Sequence, residues 1–279
     1  MKFSVLIAHY NNARFFKDCL DSLLKQTYTN WEAVILDDAS SPDDRYTVQK
    51  MIAGDHRFSF YENKKNSGVG ITKAKLIELA SGDICGFVDP DDAILPNAIE
   101  SAVKAFRRNK HTVLTYSRFM MCDDLLHPIA PFKSAMQVQN NDIYYFNYPV
   151  QIAHFVCFRK DIYETTEKMD TTKKIAEDQD LYLKMYEKGA VKFIDETNYL
   201  YRTHSSGISQ NENKQKSYDY WGEVIFNAMK RRGLKEVNGK KIPETYQNPQ
   251  EIFDLLDYQN KIPFRIRKKI KLSLQNIFG

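Results

Sequence analysis

Cysteine is sparse in this chain and scattered. Cys19, Cys85, Cys122 and Cys157 fall into no CxxC or metal-finger spacing, which excludes a cysteine-held zinc module and a disulfide-stapled scaffold. Cys19 and Cys85 lie in apolar stretches, where a free thiol behaves as a small hydrophobe, and reduced thiols in a cytosolic setting are expected. Long apolar runs are missing too. No stretch approaches the roughly 20 residues of a membrane-spanning helix. The short run at residues 5–8 gives way to His9, Tyr10, Asn11 and Asn12, so no signal-peptide pattern is expected and any membrane role should be peripheral. Neither sign of charge dominates: 40 Lys and Arg against 36 Asp and Glu leave a formal net charge of +4. Such a balance carries no signature of a nucleic-acid partner, and none is expected. No GxGxxG follows the first strand, which disfavours a dinucleotide-binding dehydrogenase. Nor is there the glycine-rich, Lys/Arg-bearing phosphate loop that a nucleotidyltransferase would carry. Internal repeats and low-complexity tracts are also absent from the sequence.

What is present is organised around residues 84–92. The run at 84–88 reads as a buried strand, and it stops abruptly at Asp89, Pro90, Asp91 and Asp92. Three carboxylates in four residues repel one another and resist desolvation. A divalent cation relieves both costs, and Mg²⁺ or Mn²⁺ favours carboxylate oxygens. The plain alternative is a solvated acidic turn in which Asp92 or Asn97 stands near the start of the next helix. Further strands are expected at 3–8, 31–36, 58–61 and 113–116. Helical spacing fills the intervals, with Pro42 and Pro96 suited to first turns. This alternation predicts an α/β fold, a mostly parallel central sheet flanked by helices. Two strands end in acids (Asp37 and Asp38; Asp89 to Asp92) and one in Tyr10 and Asn11. Polar strand ends converging at one sheet edge make a ligand crevice.

Beyond residue 123 the pattern loosens. Residues 125–147 read as a long loop or an acceptor-side segment, 149–158 as a strand followed by a helix near Asp161, and 177–186 as a helix ended by Gly189. Short strands are expected at 191–194 and 199–202, and a long helix at 214–232. Residues 233–261, punctuated by Gly, Pro and Asn, read as a linker with a short helix near 251–258. In the tail, Ile262, Ile266, Ile270, Leu274 and Ile277 share one helical face. Arg265, Arg267, Lys268, Lys269 and Lys271 lie largely elsewhere, and residues 262–279 contain no acid. A basic amphipathic helix suits an anionic membrane surface. Packing on its own domain or on a partner subunit is the alternative. Nothing in the sequence sets an oligomeric state.

Six motifs, in order over roughly residues 1–230, together resemble the inverting glycosyltransferases of family 2, which carry the nucleotide-sugar-binding GT-A fold. His9-Tyr10-Asn11 ends the opening strand where that family commonly reads Pro-Thr-Tyr-Asn. Asp37-Asp38-Ala39-Ser40 is close to Asp-Asp-Gly-Ser, and Asn66-Ser67-Gly68 opens the helix that normally reads Asn-x-Gly-x-x-x-Ala-Arg. Asp89-Pro90-Asp91-Asp92 takes the Asp-x-Asp position. Glu177-Asp178 looks like the acidic pair that supplies the base, and Tyr201-Arg202-Thr203-His204 resembles a late Tyr-Arg-x-His element. The departures are Ala8-His9 for Pro-Thr, Ala39 for glycine and Thr72-Lys73 for Ala-Arg. The lysine keeps the charge but not the bidentate fork. None of these removes a carboxylate that the chemistry needs.

The resemblance implies a GT-A domain over 1–232, with 1–120 binding the nucleotide sugar and 121–232 on the acceptor side, and then a linker and basic amphipathic tail over 233–279. It implies a metal-dependent, inverting transfer of a hexosyl or N-acetylhexosaminyl group from a UDP-sugar to a hydroxyl of a glycan or lipid-linked oligosaccharide. The setting would be the cytoplasm, at the inner face of a bacterial membrane, in surface polysaccharide synthesis. Asp91 becomes the direct ligand of Mn²⁺ or Mg²⁺, Asp89 a ribose or uracil contact, Asp38 the acceptor for the uracil imide N–H, and Asp178 the general base, with Glu177 and Asp180 as neighbours that could serve instead. Tyr10 stacks on the base or packs in the core, and Asn11 touches the nucleotide or forms a turn. Lys73 reaches the diphosphate or lies on a solvated helix face, and His204 ligates the metal, donates to the diphosphate or is structural. Asn66 belongs to the nucleotide-sugar set through its motif. Arg202 could pair with phosphate or with a nearby acid; His154 reads as packed, and Asp123-Asp124 as an acidic loop. A noncatalytic nucleotide-sugar binder or assembly subunit is the rival from another class.

Overall fold

The computed structural model describes residues 1–173, 175–204 and 214–278, the side chains of 214 and 273–278 excepted. Nine strands of the described residues form one sheet. Its first half is parallel and follows the expected alternation: β1 (Phe3–His9), α1 (Ala13–Leu24), β2 (Trp31–Asp37), α2 (Pro42–Ile52), β3 (Phe58–Glu62), α3 (Val69–Leu79) and β4 (Ile84–Phe87), with strands in the order β3-β2-β1-β4. β5 (Ala93–Ile94), α4 (Ala98–Arg108), β6 (Thr112–Cys122) and β7 (Pro128–Pro131) follow, then β8 (Cys157–Arg159), α5 (Lys160–Tyr163), α6 (Glu177–Tyr186) and β9 (Ala190–Arg202). β8 pairs antiparallel with both β4 and β6 and so joins the halves, while β9 runs parallel to β6.

β1 shows why the sheet is covered on both faces. Period-two alternation sends Phe3, Val5 and Ile7 to the layer containing α1 and α4, and Leu6 to the layer containing α3 and α6. A strand buried on both sides must read as a continuous apolar run, as this one does. α1 meets its layer through Ala13, Phe16, Leu20 and Leu23, and α4 through Ile99, Ala102, Val103 and Phe106. Each large side chain withdrawn from water contributes roughly 1.5–3 kcal/mol, which outweighs the marginal stability of helices this short.

The second half departs from the sequence pattern in instructive ways. The segment expected as a strand at 149–158 is a strand only from Cys157. Before that, buried Asn147 takes the place of a ladder: its Oδ1 accepts from the Gln151 and Ile152 amides and its Nδ2 donates to the Ile152 carbonyl. The two short strands expected at 191–194 and 199–202 are one strand, β9, whose register against β6 slips beside Arg118. The stretch at 125–147 begins with β7, and Asp123 closes the turn before it by accepting from the Leu125 and His127 amides.

Residues 233–261 are more than a spacer. After α7 (Lys214–Arg231), the small hairpin β10 (Glu236–Val237) and β11 (Lys240–Lys241) leads to α8 (Pro249–Leu256). Ile252, Phe253, Leu255 and Leu256 of α8 are buried in the main core, and Phe253 stacks on Tyr218 with ring centroids 4.2 Å apart. α8 is the short helix expected near 251–258; the Gly, Pro and Asn residues around it gave the segment a linker's composition and concealed its place in the core. The chain ends in α9 (Ile262–Phe278). All four cysteines are buried and unpaired. No helix among the described residues is long and apolar enough to cross a membrane.

Candidate active site

The carboxyl ends of β1, β2 and β4 bring the expected polar corners together. His9 and Asp37 are register partners, and His9 Nδ1 lies 2.9 Å from Asp37 Oδ2. The Ser40 amide and hydroxyl also donate to Asp37. Burial works against ionisation of Asp37, but His9 and Ser40 outweigh it and its pKa falls below the ordinary carboxylate value. Asp38 is buried beside it. Its Oδ1 accepts from Asn63 Nδ2 and the Ser67 amide, and its Oδ2 from the Gly68 amide, all at 2.8 Å. Asp38 therefore fixes the loop that launches α3, with Gly68 at φ +87° supplying the left-handed turn. Asn11 also forms a turn: its φ is +47° and its side chain accepts from the Ser41 amide. Tyr10 is 51% exposed, so its ring is open rather than packed. Asn66 is exposed on the loop.

α3 carries Lys73 into a nest of acids. A Cβ at Gly70 would stand 2.7 Å from the Lys173 carbonyl, so only glycine lets α3 approach the segment before α6 this closely. The approach places Lys73 Nζ 2.7 Å from Glu177 Oε1, with both side chains buried. Burial alone would lower the lysine pKa, but Glu177, Asp89 and Asp178 raise it, and the ammonium stays charged. Burial also raises Asp89, to about 6; Lys73 pulls it down, while Asp91, Glu177 and Asp178 push it up. Asp178, at the start of α6, is raised by burial and Glu177 and lowered by Lys73. These mutual influences place Lys73, Asp89, Asp91, Glu177 and Asp178 in one electrostatic neighbourhood.

The other acids of the central turn are held differently. Asp91 Oδ2 lies 2.7 Å from His204 Nε2, so the two residues expected near a metal meet. Asp92 is no helix cap: α4 begins at Ala98, and Asp92 is buried under β9. There it accepts from the Tyr199 hydroxyl and the Arg202 amide, both at 2.7 Å. Arg202 braces the same turn through its guanidinium, donating to the carbonyls of Asp91 and Asp124 and to the Asp18 carboxylate, and lies 4.4 Å over the Phe15 ring. His154 is packed, stacked 4.6 Å from Tyr199, and burial and then Lys73 hold its pKa down at about 3.

Sequence reasoning missed three parts of this arrangement. It did not pair Lys73 with Glu177, did not find the brace of Asp92 by Tyr199 and Arg202, and did not see that Ala176 takes a left-handed φ of +63° just before Glu177. A strained alanine beside clustered acids is the kind of feature that collects at functional sites, but no sequence periodicity reports it.

The carboxylate of Asp91 is of the chemistry that a divalent ion prefers. Mg²⁺ or Mn²⁺ is commonly held by one or two protein groups and completed by substrate phosphates and water. Asp91 and His204 are two such groups facing one another. Among the described residues no group of three or more His, Cys, Asp or Glu side chains that could hold a metal ion is found.

An acid-ended parallel sheet, a glycine-launched helix and a second acidic pair at the start of α6 are now in place. Residues 4–166 match the family described as Glycosyl transferase family 2. The chain belongs to that family. Its relatives include a chondroitin synthase of Escherichia coli, 26% identical across 84% of this chain and 33% of the relative. Glycosyltransferase GlyG of Streptococcus pneumoniae serotype 4 is 21% identical across 86% of this chain and 79% of its own length. The chain thus spans about a third of the length of the chondroitin synthase it resembles. Among solved structures, S. aureus TarS 1–349 in complex with UDP-GlcNAc superposes with a TM-score of 0.67 at 19% identity, covering 82% of this chain and 66% of that one. The mannosyltransferase PcManGT from Pyrobaculum calidifontis, in complex with GDP-Man and Mn²⁺, gives 0.58 at 13% identity over 98% of this chain and 80% of that one. At those identities the likeness is one of fold, the GT-A α/β sheet flanked by helices.

Proposed function

We propose that this family-2 chain transfers a hexosyl or N-acetylhexosaminyl group, with inversion, from a UDP-sugar to a hydroxyl of a glycan or lipid-linked oligosaccharide. The observation that carries the reading is the shared neighbourhood of Asp89, Asp91, Glu177 and Asp178 around Lys73. Carboxylates from two distant stretches are gathered beside the crevice where α/β sheets bind ligands. Residues 1–120 supply the donor side and 121–232 the acceptor side.

Tyr10 offers its exposed ring to the base. Asp38 receives the uracil imide N–H at Oδ2, a carboxylate oxygen that also accepts from the Gly68 amide. Asn11 and Asn66 border the nucleotide, and Asp89 faces the ribose. Asp91 and His204 would hold a Mn²⁺ or Mg²⁺ ion, which would supply positive charge against the departing diphosphate. Lys73 adds a fixed positive charge near the same oxygens. Asp178 takes the acceptor's proton as its oxygen bonds to the anomeric carbon and the bond to the diphosphate breaks. The desolvation that raises Asp178 makes it a better base than an ordinary aspartate. Uridine as the nucleotide is supported by the UDP-GlcNAc complex of TarS and by the relative named as a UDP-Glc glucosyltransferase, WfgD of Escherichia coli. We place the reaction in the cytoplasm, at the inner face of the membrane.

Asp178→Asn should keep UDP-sugar binding, read by calorimetry, while transfer falls about a thousandfold. Asp91→Ala should lose the gain in donor binding that Mn²⁺ brings. Transfer by the Asp178→Asn variant at the parent rate would overturn the base assignment. Donor binding without UDP release for any acceptor would favour a noncatalytic binder.

A further inference from the structure

The last helix presents two opposite faces with different fates. Phe264 packs edge-on against Tyr258, with ring centroids 5.0 Å apart. Lys268 reaches back to the body, its Nζ donating to Gln151 Oε1 at 3.0 Å and lying 5.4 Å over the Tyr145 ring. That burial lowers the pKa of Lys268. Each of these residues is two positions from Ile266, about 200° around a helix. Ile262, Ile266 and Ile270 accordingly line the outward side, 70%, 55% and 56% exposed. Arg267 and Lys271 border that stripe on one flank and Arg265 on the other, and all three are exposed. Leu274 and Ile277, which would extend the stripe, have side chains outside those described.

We infer that the outward face of α9 is a docking surface for an anionic phospholipid bilayer. Water does not favour three large aliphatic side chains aligned at i, i+4 and i+8 on a helix whose opposite face is already used. A protein partner would also cover them, but the stripe is bordered by cations on both flanks, and residues 262–279 contain no acid to pair them. A lipid interface satisfies both features together: isoleucines enter the acyl boundary while arginine and lysine meet phosphate headgroups. The helix stays on the surface, since its length and charge do not suit crossing. The inference rests on the proposed membrane-face setting alone; the transfer chemistry does not enter it.

Vesicle co-sedimentation of the full chain tests it. The protein should bind vesicles of equal parts phosphatidylcholine and phosphatidylglycerol at least about tenfold more tightly than vesicles of phosphatidylcholine alone. Raising salt from about 0.1 M to about 1 M contracts the screening length from about 10 Å to about 3 Å and should weaken that binding about tenfold. Ile266→Ser with Ile270→Ser, and separately Arg267→Gln with Lys271→Gln, should each lose about tenfold while thermal melting stays that of the parent, because all four side chains are exposed. Equal binding to the two vesicle types, or serine variants that bind like the parent, would overturn the inference. So would a dimer in solution that the serine pair dissolves, which would make the stripe a seam between two copies. Because no step requires sugar transfer, an inactive enzyme that still binds these vesicles separates this inference from the functional proposal.

Discussion

Two turns of this protein share one sequence signature and use it in opposite ways. Both follow buried parallel strands, and both open with clustered acids. At Asp37 and Asp38 the carboxylates are met by donors from the chain itself: His9 and Ser40 on one, Asn63, Ser67 and Gly68 on the other. At Asp89 and Asp91 the acids crowd one another and another acidic pair, with Lys73 and His204 as counterweights. The pKa of Asp37 falls while that of Asp89 rises. Acids saturated by their own chain hold a loop in place; acids left under mutual repulsion are poised for a ligand that brings positive charge. Asp92 shows that both kinds can sit in one turn, since Tyr199 and Arg202 make it a support.

The largest effect that separates the two turns should come from Asp37→Ala. The side chain is fully buried, and its loss removes the carboxylate acceptor that buried His9 and Ser40 share. Such a vacancy costs about 3 kcal/mol, to be read as a lowered denaturation midpoint. A variant as stable as the parent would mean that the first turn is not held by its acids.

Asp89→Asn should move stability the other way. The neutral amide relieves repulsion at the second turn, and the ligand-free protein should gain about 1 kcal/mol at neutral pH, allowing for the partial solvent contact of the group. The sign follows from a folded pKa of about 6 above the ordinary value near 4. Above pH 6 the parent carries the full penalty. As the pH falls from 6 towards about 4, the folded state takes up its proton first and the penalty fades. The gain from Asp89→Asn should therefore be present at pH 7 and gone near pH 4 in paired melting curves. A gain that grew on acidification would contradict the repulsion.

The two turns also mark how far the sequence could be read. The parallel half was legible because its strands are covered on both faces and its helices keep clean apolar spacing. The order and acid endings of β1, β2 and β4 followed from that. What stayed hidden depends on contacts between distant residues. Lys73 and Glu177 are each ordinary helix residues until Gly70 lets α3 approach α6. Asn147 replaces a strand ladder by side-chain bonds that no alternation predicts. β9 looks like two strands because its bulge interrupts the period where its register slips against Arg118. The short helix expected near 251–258 is present as α8, but that its apolar side chains join the core was not legible among the turn-forming residues around it.

The smallest test concerns the first turn alone. Ala39 directly follows its two acids at φ +64°, where the resemblance places a glycine. The geometry is imposed from both sides, by the Ser40 amide bound to Asp37 and by the Ser67 and Gly68 amides bound to Asp38. An alanine held left-handed costs about 1 kcal/mol or somewhat more. Ala39→Gly removes that strain but gives the unfolded chain extra freedom worth about 0.5–1 kcal/mol. The expected net gain is about 0.5 kcal/mol, or 1–2 °C in melting temperature for a chain of this size. If the variant melts lower instead, the acids of the first turn are not strong enough to impose a strained residue beside them, and the contrast with the second turn weakens accordingly.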